Sequence, residues 1–210
     1  MIHTRIKFCG MTRAEDALLA ARLGVDAIGL VFTRRSPRFV ELAAAQAIVA
    51  ALPPFVATVG LFMDDEAAWV REVERVVTPT WLQFHGSESD SFCTCFTSPH
   101  VKAIAMGSDA DVAAQLAQHP HARAWLLDSH AVGAQGGSGR TFDWERIPTA
   151  TRRPLILAGG LSADNVAQAI VQVHPWAVDV SSGIESAPGI KDAAKCEAFV
   201  RAVRQADNAR

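Results

Sequence analysis

Five side chains able to move protons or hold anions stand where short apolar runs give way to turns. They are Cys9 in "RIKFCG", Arg38 in "TRRSPRFV", His85 in "LQFHG", Asp128 in "LLDS" and Asp179 in "VDVSSG". A thiolate can remove a proton or attack carbon, and a neutral carboxylic acid can supply a proton. Each has a plainer reading. A free cysteine is usually a small buried hydrophobe, and on position alone that is the better reading of Cys9. Asp128 would ordinarily cap a helix, but a long glycine-rich stretch follows it and no helix does. Arg38, stiffened by Pro37, suits a planar carboxylate gripped by two parallel hydrogen bonds. Arg34 and Arg35 read as solvated charges, and His85 is balanced between a structural and a site role.

Two further stretches suit a phosphate. "LAGGLSADN" carries Gly159 and Gly160, and "DVSSGIE" carries Ser181, Ser182 and Gly183. Glycines let the main chain approach an anion, and free N–H groups at helix starts donate to it. The glycine pair alone could simply turn the chain; the two stretches together favour phosphate binding. Cys93, Cys95 and Cys196 fall on helical segments and read as packing residues. No histidine or cysteine spacing suggests a metal, and no dinucleotide or Walker pattern appears. No cofactor is therefore expected.

These residues need elements to hold them. Eight apolar runs read as strands: residues 5–10, 27–32, 55–62, 81–86, 101–106, 124–129, 154–160 and 177–183. They are apolar on both faces, as strands buried in a parallel sheet are. Helical periodicity fills the intervals: 13–24, closing on Gly24; 65–77 and 192–206, each opened by an acid; and 162–173, opened by Ser162 as cap. The segment around 89–98 is the weakest helix. Eight strand–helix units predict one α/β domain over residues 1–210, a (β/α)₈ TIM barrel, in preference to a doubly wound sheet. Sites in such barrels form at the C-terminal ends of the strands, with phosphate held by the loops after strands 7 and 8. The irregular stretch 129–141 reads as a mobile lid.

The 210 residues are half apolar and one-fifth charged, with a net charge of −2. That balance excludes a strongly basic nucleic-acid or lipid surface. No leader or membrane-length apolar run is seen, so a reducing, cytoplasmic setting is expected. The expected partner is a small phosphorylated molecule, with no nucleic acid and no membrane. A monomer is the expectation and a dimer stays open.

The set "KFCGMTR", "SPR", "VGLF", "LQFHG", "LLDS", "GGSGRTFDW", "LAGGLSADNV" and "VDVSSGIESAPGIKD" resembles phosphoribosylanthranilate isomerase of tryptophan biosynthesis, in order from Lys7 to Lys191. The resemblance implies a (β/α)₈ barrel without cofactor that performs an Amadori rearrangement of an aminoaldose. It implies Cys9 as general base, Asp128 as general acid and Arg38 as the holder of the anthranilate carboxylate. His85 and Asp179 match site-lining positions. Phe8 and Phe84 depart from the commoner aliphatic residues while remaining apolar. Other phosphate-binding barrels stay as alternatives: a sugar-phosphate isomerase or epimerase, an indole-glycerol-phosphate synthase, or a non-catalytic binding barrel. The synthase would be expected to carry catalytic Lys and Glu at strand ends, and pure binding has no need of Cys9 or Asp128.

Overall fold

The computed structural model describes residues 3–107, 111–129, 143–148 and 151–210. Eight parallel strands close into a barrel in chain order: β1 (Arg5–Phe8), β2 (Ala27–Val31), β3 (Ala57–Phe62), β4 (Trp81–Phe84), β5 (His100–Ala105), β6 (Ala124–Asp128), β7 (Leu155–Leu157) and β8 (Ala177–Val180). All eight expected strands are present; seven are shorter than their apolar runs, and β5 keeps its six residues but starts one earlier, at His100. Phe55 does not begin β3; its backbone is left-handed (φ +74) and its ring is fully exposed.

Alternation along the strands divides the core in two. Ile6, Phe8, Ile28, Leu30, Val178 and Val180 join the layer between barrel and helices. Val59, Leu61, Val101, Ala103, Leu126 and Ala158 fill the barrel interior. The catalytic candidates share this inward set, so the residue two before Cys9, Lys7, also points inward.

The helices are α1 (Ala14–Arg22), α2 (Leu42–Ala51), α3 (Ala67–Val77), α4 (Asp90–Cys93), α5 (Val112–Ala117), α6 (Val166–Val173) and α7 (Ala193–Asn208). Gly24 follows α1 at φ +72, as its C-terminal position requires, and Asp192 accepts from the Lys195 N–H at the start of α7. Two expectations about helix starts fail. Ser162 does not cap α6: its carbonyl starts a turn through Asn165 and Val166, and the helix begins only at Val166. Asp65 does not serve α3 either; its carboxylate accepts from Thr33 Oγ1 and the Met63 N–H, fastening the ends of β2 and β3. After β6 the described residues hold only a short 3₁₀ turn, Trp144–Arg146, where an eighth helix was expected. The expected lid at 129–141 lies outside the described residues beyond Ser129.

Beyond β8 come a 3₁₀ turn (Ser182–Ile184) and an antiparallel ribbon, β9 (Glu185–Ala187) with β10 (Ile190–Lys191). Thr12 Oγ1 donates to the Gly189 carbonyl, docking the ribbon on the loop after β1. No helix among the described residues is long and apolar enough to cross a membrane.

Candidate active site

A cavity of about 150 Å³ opens at the C-terminal ends of the strands. Its wall includes Cys9, Arg38, His85, Asp128, Gly159, Gly160, Asp179, Ser181 and Ser182. Every expected site residue is there except Gly183, which sits behind it against the Leu161 carbonyl.

Cys9 is buried at the end of β1, with its N–H donating to the Val180 carbonyl. Gly10 follows at φ +75, a conformation that favours glycine. A Cβ there would also stand 2.6 Å from Arg38 Cδ, because the arginine stem lies across the Gly10 main chain. Gly29 on β2 clears room from the other side, since a Cβ there would meet Cys9 Sγ at 2.9 Å.

Lys7 pairs directly with Asp179 in the β1–β8 register, its Nζ 2.8 Å from Oδ1, and both side chains are buried. The same ammonium acts electrostatically on the Cys9 thiol. Burial pushes that thiol above its ordinary value, Lys7 and Lys191 pull it down, and Asp179 pushes it up; the balance is upward. Lys7 itself stays charged, because the attraction of Asp179 and Cys9 outweighs burial.

Asp128 closes β6, with its Oδ2 3.3 Å from His85 Nε2. Gln83 Nε2 donates to His85 Nδ1 at 3.0 Å, which leaves the ring proton on Nε2, facing Asp128. Arg38 presents Nε and Nη2 to Glu185 as a two-pronged bond, with Nη2 2.7 Å from Oε2. Arg34 is a surface charge over the Trp69 and Phe39 rings. Arg35 is exposed but reaches the cavity rim, where Nη2 donates to the Met63 carbonyl.

Cys93 and Cys196 are buried, and burial pushes their thiols to about 12 and about 11, as inert packing residues require. Cys95 corrects its expectation: it is exposed, with Sγ donating to the Ser91 carbonyl. Among the described residues no group of His, Cys, Asp and Glu is arranged to hold a metal.

Lys7, Gln83, Glu185 and Lys191 were missed from sequence. Lys7 had a usable signal: a lysine inside an apolar parallel strand needs a buried counter-charge, and Asp179 is an acid in another such strand.

Comparison with known proteins gives the chain a family and its fold solved relatives. A family model described as N-(5'-phosphoribosyl)anthranilate (PRA) isomerase matches residues 6–202. An N-(5'-phosphoribosyl)anthranilate isomerase of Xanthomonas euvesicatoria is 53% identical over 213 residues, covering 99% of this chain and 96% of the relative. The crystal structure of phosphoribosyl anthranilate isomerase from Thermus thermophilus superposes with a TM-score of 0.86 at 35% identity, covering 96% of this chain and 99% of that one. A further isomerase structure, in complex with reduced 1-(o-carboxyphenylamino)-1-deoxyribulose 5-phosphate, has a TM-score of 0.81 at 34% identity with the same coverage.

Proposed function

The chain belongs to the phosphoribosylanthranilate isomerase family, and we propose from that premise how its residues divide the reaction. It is an isomerase of tryptophan biosynthesis that converts N-(5'-phosphoribosyl)anthranilate, an aminoaldose, into the aminoketose 1-(2-carboxyphenylamino)-1-deoxyribulose 5-phosphate. Family match over residues 6–202 also supports reading residues 1–210 as one barrel domain.

Asp128 and His85 hold the proton that the ribose ring oxygen must gain as its bond to C1 breaks. Ring opening leaves a protonated Schiff base, which acidifies the C2 hydrogen. Cys9 removes that hydrogen as thiolate, giving an enolamine; ketonisation then adds a proton at C1 as the C2 hydroxyl loses its own. Burial favours the thiol. The Schiff-base cation joins Lys7 and Lys191 beside the sulfur, so the first step creates the charge that makes the base effective in the second. Gly159, Gly160, Ser181 and Ser182, with Gly183 supporting their loop, take the phosphate. Arg38 takes the anthranilate carboxylate, fixing the reacting carbons between two anchors. Asp179 serves the base through Lys7.

The observation that carries this reading is the single cavity lined by Cys9 and Asp128. Cys9→Ala and Asp128→Asn should each lower kcat by about a thousandfold while inorganic phosphate still binds. Near-wild-type turnover in both variants would refute the assignment.

A further inference from the structure

Glu185 occupies a junction that neither proton transfer nor phosphate binding requires. It is a buried carboxylate whose two oxygens accept from three side-chain and main-chain sources. Oε1 takes Arg38 Nε at 2.9 Å, Lys191 Nζ at 2.8 Å and the Gly189 N–H at 3.2 Å; Oε2 takes Arg38 Nε at 3.2 Å and Nη2 at 2.7 Å. Burial alone would raise its carboxyl, yet Arg38 and Lys191 hold it below the usual range.

Consider what this leaves of Arg38. A guanidinium carries five N–H donors in a rigid fork. Glu185 takes the Nε/Nη2 edge, and Nη1 makes no hydrogen bond to the chain among the described residues. The remaining Nη1/Nη2 edge is itself a two-pronged fork suited to a second carboxylate. Arg38 is also held from below by its stem on Gly10, and it lines the cavity. A long arginine so fixed loses little side-chain freedom on binding.

Lys191 extends the junction toward the base. It faces Glu185 in the β9–β10 register, and its wholly buried Nζ donates to the Cys9 carbonyl at 2.5 Å. Ser181 Oγ donates to the same carbonyl at 3.1 Å. The main chain behind the thiol and the guanidinium are thus fastened to one carboxylate.

We propose that Glu185 is a positioning residue that clamps Arg38 by one edge, presents the opposite edge to the substrate's aromatic carboxylate, and through Lys191 ties that grip to the main chain of Cys9. This rests on the reading of Arg38 as the carboxylate anchor. Glu185→Gln tests it, because an amide offers one acceptor and adds two donors facing cations that need acceptors.

Calorimetric titration would compare two probes, reduced 1-(o-carboxyphenylamino)-1-deoxyribulose 5-phosphate and ribulose 5-phosphate, which lacks the carboxyphenyl group. Glu185→Gln should weaken the first by about tenfold or more, the range expected when a charged hydrogen-bonded partner is lost, and leave the second within about twofold. Glu185→Asp, which keeps the charge, should recover part of the lost discrimination. In turnover the Gln variant should raise KM more than it lowers kcat. Taking the ratio of the two probes separates positioning from general loosening, which would weaken both alike and overturn the proposal. Arg38→Ala is the control. If it lowers the ratio and Glu185→Gln does not, the Glu185 role falls alone. If Arg38→Ala keeps the wild-type ratio, the carboxylate reading of Arg38 falls and takes this proposal with it.

Discussion

Two buried lysine–carboxylate pairs stand on opposite sides of the barrel wall. Lys7–Asp179 lies inside the barrel, and Lys102–Glu88 lies in the layer between strands and helices. Both bury their charges almost completely. Lys102 Nζ donates to the carbonyls of Phe84 and Gly86 and to Glu88, while Glu88 also accepts the N–H groups of Asp64 and Gly86. That pair is spent on main-chain groups and holds the loops after β3 and β4. Lys7 makes one carboxylate bond and turns its remaining charge on a thiol at the cavity wall. The same chemistry is a staple in one place and a tuning device in the other, and the difference lies in what the ammonium faces.

Three measurements would break or sharpen this contrast, in descending order of effect. Lys102→Met strands Glu88 as a buried charge and should cost about 3–5 kcal/mol of stability, read by denaturant unfolding, while kcat/KM of the folded fraction barely moves. A large fall in kcat/KM without loss of stability would erase the distinction.

Lys7→Met also strands a buried carboxylate, Asp179, and should cost stability too, but unlike Lys102→Met it should lower the rate of the folded fraction. It removes the cation that lowers the Cys9 thiol and leaves Asp179 to push it up, so both changes favour the protonated form. With Cys9 as the proposed base, kcat/KM should rise with pH; in the variant that rise should move to higher pH, with a loss of about tenfold in kcat/KM at neutral pH. An unmoved pH profile would make Lys7 a second staple.

The smallest effect concerns a neighbour of the other pair. Burial, helped by Lys102, holds His119 down at about 4. The unfolded chain binds this proton more readily than the folded one, so stability is intact above about pH 6.5 and falls as pH drops toward 4. His119→Gln should flatten that acid slope in urea melts taken between pH 4 and 7. An identical slope in the variant would free His119 of blame.

The strands were legible because burial on both faces leaves unbroken apolar runs, and the barrel followed from their number. Cavity-lining residues were legible wherever a polar group interrupted a strand end, as at Cys9, His85 and Asp128. Partnerships were not. Asp179 read as a residue facing substrate, yet its nearest partner is Lys7, 172 residues earlier in the chain. Glu185 and Lys191 lay within a quoted motif, but their value depends on a hairpin that brings both over the main chain of Cys9. Ser162 illustrates the opposite error: its type suited a cap, and the turn geometry gave its carbonyl the work instead.

The seam where β1 meets β8 has a consequence in time. The thiol and Lys7 are synthesised early, and Asp179, Ser181 and Lys191 emerge only after most of the remaining chain. The bonds that Asp179, Ser181 and Lys191 make beside the thiol therefore form only when the barrel shuts. An incomplete ring has no half-working catalyst, and the appearance of activity during refolding would report closure of the ring itself.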